Sequence, residues 1–197
     1  SALAKFRLCF WNVRRSGLIA IKIKGEDKLI WVKPTSGSDN IFLVTAAGQA
    51  IRFKETDVRD MGRGASGVRG IRLKKDDVMV GMGVIKSEKE KQKLYQALSV
   101  MANGFGKRTP IGLYKTQGRG GSGIKTSKVT AKTGKLTNAF VVNSESMKEK
   151  DLIIISEKGQ VIRLPFKSVN QSGRDPQGVR LMRFKEADDK VACVTWV

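Results

Sequence analysis

The 197-residue chain is 40% apolar, carries 38 Lys and Arg against 18 Asp and Glu for a formal charge of +20, and has no histidine. Its length suits one large β domain or two small ones, and its apolar content is enough to bury a core, which excludes a disordered chain. The lack of histidine removes the commonest neutral-pH base, the usual metal ligand and the serine-hydrolase relay, so most hydrolase and zinc chemistries fall away.

A charge of +20 makes the compact state repel itself unless a polyanion shares its surface, which points to nucleic acid. Cys9 and Cys193, near opposite ends, are too few for a four-ligand zinc site and point to a reducing compartment more than to a disulfide framework; both are expected to be small core residues. No apolar run approaches a membrane span, and residues 1–10 lack the order of a signal peptide, so a cytoplasmic location without membrane contact is expected.

In chain order, Leu3 and Phe6 read as the remnant of a strand. Arg14 and Arg15 then precede Gly17 to Ile23 (GLIAIKI), which reads as a strand, and a second apolar strand follows at Leu29 to Val32. Ile41 to Phe53 (IFLVTAAGQAIRF) has the layout of a β-hairpin turning at Gly48. That layout returns at Ser99 to Thr109 (SVMANGFGKRT, turning at Gly104) and at Leu152 to Leu164 (LIIISEKGQVIRL, turning at Gly159), with Arg52, Arg108 and Arg163 each four residues past the glycine. The only candidate helix, Ser87 to Leu98, reads mostly as a charged surface loop.

A second element follows each hairpin: Gly62 to Leu73 (GRGASGVRGIRL), Gly118 to Val129 (GRGGSGIKTSKV) and Gly173 to Phe184 (GRDPQGVRLMRF), at a period of 55 or 56 residues. In each, an arginine (Arg63, Arg119, Arg174) precedes a glycine (Gly67, Gly123, Gly178) by four positions. That glycine opens a strand whose second and fifth residues are basic: Arg69 and Arg72, Lys125 and Lys128, Arg180 and Arg183. Closing strands follow at Val78 to Val84, Leu136 to Val142 and Val191 to Val197.

Four short strands per unit and no sustained helical periodicity predict an all-β, propeller-like disc of about four visible blades, near residues 1–33, 34–85, 86–142 and 143–197 of a single domain. Trp11, Trp31 and Trp196 read as blade-packing residues. The acid pairs Asp76–Asp77 and Asp188–Asp189 read as turn residues instead of catalytic carboxylates.

Cations at fixed repeat positions are expected to form a basic belt around the rim. Between Lys91 and Ser144 there are ten Lys or Arg and no acid, so the third unit is expected to be its most positive part. Gly118, Gly120, Gly121 and Gly123 in that unit are expected to let phosphates approach backbone N–H groups. The loop is no nucleotide-binding P-loop, because it lacks the glycine-lysine-serine/threonine ending and precedes a strand. Nothing resembles a recognition helix or zinc finger, and 7% aromatics offer little for stacking single strands. Backbone contact with bendable duplex DNA remains. The predicted contacts are Arg14, Arg15, Arg63, Arg69, Lys107, Arg108, Arg119, Lys125, Arg174 and Arg180.

The segments IFLVTAAGQAIRF, DVRDMGRGASGVRGIRL, NGFGKRTPI, QGRGGSGI, GQVIRLPFKSV and GRDPQGVRLMRF closely resemble the C-terminal domain of DNA gyrase A, over almost the whole chain. The resemblance implies a β-pinwheel whose blades exchange strands, usually five- or six-bladed, of which this chain would be part. It implies wrapping of duplex DNA in a positive sense around a basic rim, in support of ATP-dependent negative supercoiling by the enzyme core. The family's box is glutamine, two basic residues, two glycines, lysine and glycine. Gln117, Gly118, Arg119, Gly120, Gly121, Ser122 and Gly123 match it only in degenerate form, so they read as a related blade loop.

The family's tyrosine nucleophile lies in another domain, so Tyr95 and Tyr114 inherit no catalytic role. No cofactor or metal is expected in this domain, with ATP and magnesium confined to other parts of the holoenzyme. The expected partners are double-stranded DNA, the remaining gyrase A domains and gyrase B; the isolated domain is expected to be monomeric. The alternatives are the corresponding domain of topoisomerase IV and, more distantly, a propeller-like protein-interaction scaffold.

Overall fold

The computed structural model describes residues 2–5, 15–17, 19–62 and 64–197. The first strand, β1 (Ala2–Leu3), is followed by the hairpin β2 (Asn40–Thr45) and β3 (Gln49–Lys54), the short β4 (Val68–Arg69) and β5 (Met79–Ile85). One helical turn, α1 (Lys89–Gln92), leads into the hairpin β6 (Tyr95–Met101) and β7 (Phe105–Pro110), the short β8 (Ile124–Lys125) and β9 (Leu136–Asn143). The last unit repeats the order with β10 (Asp151–Ser156), β11 (Val161–Pro165), β12 (Val179–Arg180) and β13 (Val191–Trp196). Among the described residues no helix is long and apolar enough to cross a membrane.

All three predicted hairpins form, with Gly48, Gly104 and Gly159 at φ between 77° and 84°, a left-handed turn conformation that side chains resist. The repeat extends to irregularities: the pairing of each hairpin with its closing strand shifts register at Val44/Thr45, Val100/Met101 and Ile155/Ser156. A 3-10 turn follows each hairpin at Glu55–Asp57, Ile111–Leu113 and Phe166–Ser168.

The sheets do not follow the sequence units. In the order β5-β2-β3-β8 the fourth strand comes from the next unit, and so it does in β9-β6-β7-β12. β4 likewise pairs with β1 of the unit before it. Each unit therefore contributes its short strand to its predecessor's outer edge. The closing strands β5, β9 and β13 form the opposite edges, and at this hub β9 packs against both β5 and β13.

Packing between blades explains the burial. All six residues of β2 are buried, because Ile41 and Leu43 face one core cluster while Phe42 and Val44 face another. β6 does the same, with Ala97 and Met101 on one side and Leu98 and Val100 on the other. In β10 burial alternates, with Leu152 and Ile154 buried and Ile153 and Ile155 half-buried, as on a sheet covered on one face. Gly81 and Gly83 of β5 lie so close to Ala139 and Val141 of β9 that a Cβ at either would overlap them.

The fold departs from the sequence expectations in several places. The about four blades become two four-stranded sheets, one three-stranded sheet and the two-stranded ladder β1–β4 among the described residues. Leu29 to Val32 and the described part of Gly17 to Ile23 form no strand, and Ile19, Ile30 and Val32 are 79%, 62% and 76% exposed. A closing strand needs the first hairpin strand of its own unit and an exchanged strand needs the hairpin of the unit before. Among the described residues β1 is the only strand of the first unit, and it pairs with β4 and not with either segment.

Cys193 is exposed on β13 and is not a core residue, because its side faces away from the β9–β10 cluster that Val191 and Val194 enter. Leu3 does belong to a strand, while Phe6, Cys9 and Trp11 lie outside the described residues. Trp196 packs edge-on against Phe140 of the neighbouring sheet, with ring centroids 5.1 Å apart, and Trp31 is half-buried. The acid pairs are turn residues: Asp77 Oδ1 accepts from Ala47 N–H and Val78 N–H, and Asp189 Oδ1 accepts from Lys158 N–H and Lys190 N–H.

The exchanged strands make a specific demand on Gly123. Its φ is +72° and an added Cβ would lie 2.5 Å from Ala50 O. Gly123→Val is expected to cost about 3 kcal/mol or more in thermal unfolding, whereas Gly118→Ala, with open space around it, should change little. Equal melting temperatures for the two variants would contradict strand exchange as the source of that glycine.

Candidate nucleic-acid interface

Two columns of cations recur with the repeat, and the fold separates them. In the column four residues past each hairpin glycine, Arg52 and Arg108 lie in the seam between successive units. Arg52 is buried: its Nη2 donates to Gln92 Oε1 at 2.6 Å and its Nη1 to Ile111 O at 3.5 Å, on the next unit's 3-10 turn. Arg108 repeats this, donating from Nε to Val169 O at 2.7 Å and from Nη2 to Lys167 O at 3.3 Å, with its guanidinium carbon 4.7 Å from the centre of the Phe166 ring. Burial lowers the pKa of both guanidiniums from the ordinary arginine value.

Lys5 occupies the equivalent place before β2, with Nζ 3.5 Å from Asp60 and 4.0 Å from Glu55. Arg163 is exposed and pairs with Asp151 of its own sheet at 2.7 Å. Lys5, Arg52 and Arg108 clasp blade to blade, and Arg108 is held in that seam and not presented on the belt.

Lys107 also leaves the set of predicted contacts. It is completely buried, and its Nζ donates to Gly173 O at 2.7 Å and Arg174 O at 2.6 Å. Desolvation pushes its pKa down to about 8, with Asp175 opposing the fall and Arg174 and Lys125 adding to it. No phosphate can reach an ammonium in that position.

The second column lies at the outer edge of the blades, where the exchanged strands sit. Arg69, Lys125 and Arg180, one on each exchanged strand, are all exposed. The loop arginines join them from unit to unit. Arg119 donates from Nη1 to Arg69 O at 3.2 Å and from Nε to Asp57 O at 2.8 Å, and Arg174 donates from Nη1 to Lys125 O at 3.1 Å.

Arg69 and Arg119 are therefore neighbours at one exchanged strand, Lys125 and Arg174 at the next, and Arg180 lies on the third. Lys125 also faces Asp175 at 3.7 Å, both largely exposed, a pairing that solvent weakens. Arg15 is exposed as well but is not one of these linked residues, while Arg14 and Arg63 lie outside the described residues.

Sequence reasoning missed Lys132. It stands 5.7 Å from the centre of the Phe105 ring, which Arg180 approaches at 5.0 Å, and both border a groove of mixed charge with Phe184, Lys190 and the acids Glu186 and Asp189. The signal was present in the closing turns: the third unit has Lys132 where its sisters place acid pairs at Asp76–Asp77 and Asp188–Asp189.

The glycine-rich loop has another role than the one expected. Gln117 N–H donates to Arg52 O at 2.7 Å, Gly120 N–H donates to Gly70 O at 2.6 Å, and Gly121 O accepts from Arg72 N–H at 2.8 Å. The Gly120 N–H is thus committed to protein, and the glycines let one unit's loop lie against the strand of the unit before. Of the loop, Gly118, Arg119 and Ser122 are exposed. Tyr114 is buried, with its hydroxyl 2.5 Å from Thr126 Oγ1; burial raises its pKa from the ordinary value.

The chain matches the family model described as "DNA gyrase C-terminal domain, beta-propeller" in four stretches, residues 12–36, 39–86, 102–143 and 150–192. It is 41% identical over 175 residues to the DNA gyrase A protein of Staphylococcus epidermidis, covering 89% of this chain and 19% of that protein. To the DNA gyrase A protein of Staphylococcus aureus it is 39% identical over 184 residues, covering 93% of this chain and 19% of the other. The chain thus spans about a fifth of the length of these relatives.

Among solved structures, the C-terminal domain of DNA topoisomerase IV superposes with a TM-score of 0.82 at 24% identity, covering 95% of this chain and 56% of that one. The DNA gyrase A C-terminal domain superposes with a TM-score of 0.71, also at 24% identity, covering 91% and 57%. These two likenesses establish the fold. With exchanged blades, an outer cation column and four matched repeats, the chain belongs to the family of DNA gyrase C-terminal, β-propeller domains.

Proposed function

We propose that this domain binds duplex DNA without sequence preference and bends it around the outer edge of its blades, as the wrapping domain of a gyrase A protein. The observation that carries this reading is the recurrence of exposed Arg69, Lys125 and Arg180 on the exchanged strands, with Arg119 bonded to the Arg69 carbonyl and Arg174 to the Lys125 carbonyl. Cations spaced along one curved edge meet successive phosphates of a bent duplex and carry no base-reading geometry. Lys132 adds a charge beside Arg180.

In the holoenzyme the domain would supply geometry to a type II topoisomerase that introduces negative supercoils with ATP. The cutting tyrosine, ATP and magnesium then belong to other domains and to gyrase B, in the cytoplasm. The gyrase assignment is preferred to topoisomerase IV because the family model and the staphylococcal relatives are gyrase proteins, while the topoisomerase IV likeness extends to fold alone.

With roughly five phosphates neutralised, log K for a mixed-sequence duplex should fall against log salt with a slope of about −4.5. A flat response in a fluorescence titration would remove DNA as the partner and favour the protein-scaffold alternative.

Position matters as well as charge. Lys125→Glu with Arg180→Glu should weaken duplex binding by at least about tenfold at moderate salt and flatten the slope by roughly two. The same charge change at Lys148 and Lys150, on the loop after β9, should cost far less. Equal losses from both pairs would mean that net charge, and not the outer edge, binds the duplex.

A further inference from the structure

We propose that Lys107 is a positioning residue that fixes the loop bearing Arg174 at the duplex-binding edge, an inference that rests on the DNA-binding reading above. Lys107 is the third residue past its hairpin glycine, where the sister units have Ile51 and Ile162. Ile51 is fully buried and underlies the third-unit loop: its Cδ1 would lie 3.7 Å from a Cβ built on Gly121. A lysine at this place keeps the apolar stem and adds a cation whose donors point into the loop's carbonyls.

The fourth-unit loop keeps one of its sister's ties, Ser172 N–H to Arg108 O, but lacks the other two, and so needs that cation. In the third unit, Gly120 N–H donates to Gly70 O and Gly121 O accepts from Arg72 N–H. The corresponding residues of the fourth unit are Asp175 and Pro176, and among the described residues they form neither bond. In their place Lys107 Nζ binds the carbonyls of Gly173 and Arg174 at 2.7 and 2.6 Å, and Thr109 Oγ1 adds a weaker donation to Gly173 O at 3.4 Å.

Holding the Arg174 carbonyl fixes the backbone from which the half-buried Arg174 side chain reaches Lys125 O, so a buried charge orders one nearer the surface. Among the described residues no carboxylate lies within 4.0 Å of Lys107, so its ammonium is satisfied by the loop and not by an ion pair.

The test is a double-mutant cycle on the 197-residue chain, read as duplex affinity and salt slope for the parent, Lys107→Met, Arg174→Ala and the double variant. Lys107→Met should lower affinity about fivefold and reduce the slope by roughly one, as should Arg174→Ala, with no further loss in the double variant. A residue that only stabilised the fold would cost the same in either background, and multiplied losses would overturn the assignment. So would parental affinity in Lys107→Met or in Arg174→Ala.

Amide hydrogen exchange without DNA is the second measurement: faster exchange over residues 173–178 in Lys107→Met supports the clasp, and unchanged exchange refutes it. A parent chain with flat salt dependence would sink the DNA reading, while the exchange result would still report on the loop. Should the methionine variant not fold, Lys107→Gln, which keeps a donor, takes its place in the same cycle.

Discussion

The pairing of a two-residue strand with the hairpin of the preceding unit is the constraint from which the other features follow. β8 meets β3 through Gln49↔Lys125 and Ala50↔Ile124, and β12 meets β7 through Phe105↔Arg180 and Gly106↔Val179. Backbone arriving so close to other backbone can turn in only with a glycine, and Gly123 and Gly178 stand there at φ of 72° and 86°. Once the short strand is at the outer edge, the second residue of each such strand looks outward. The closing strands are left to meet at the hub, where Gly81 and Gly83 permit the approach of β9.

The same residue types then acquire opposite roles by location. Arg52 and Arg108 end under the next unit's 3-10 turn, where carbonyls, an amide side chain and an aromatic face replace the water they lose. A buried guanidinium needs such partners, because an unpaired one is costly to desolvate. Arg69, Lys125 and Arg180 keep their water on the edge and remain available to a polyanion. Lys107 and Arg108 are adjacent in sequence, yet the strand's alternation sends one wholly inside and the other into the seam.

Much of this is readable from residue patterns. Glycine, apolar runs and a constant period locate the hairpin turns and the starts of the exchanged strands, because turn chemistry is local, but not their lengths: β6 begins four residues before Ser99, and each exchanged strand ends at its second residue instead of running past the fifth. The edge cations Arg69, Lys125, Arg180, Arg119 and Arg174 are legible for the same reason.

A period does not say which sheet a short strand joins, so the exchange is legible only through the family resemblance. Nor does it distinguish a basic residue that lines a seam from one that lines a rim, hence the misplacement of Lys107 and Arg108. Leu29 to Val32 has the composition of a strand but pairs with none among the described residues, and strand formation depends on a partner more than on propensity. Cys193 escapes a reading from composition because an alternating strand on an outer blade has a wet face.

Exchanged strands also change how such a disc comes apart. In repeat proteins with self-contained modules each module can melt by itself, coupled to its neighbours only through packed surfaces. Here the loss of one unit strips the outermost strand from the blade before it and exposes that blade's backbone edge, so local melting propagates toward the N-terminus. The direction of that propagation is built into the topology, and it gives the assembly a polarity that a ring of independent blades would lack.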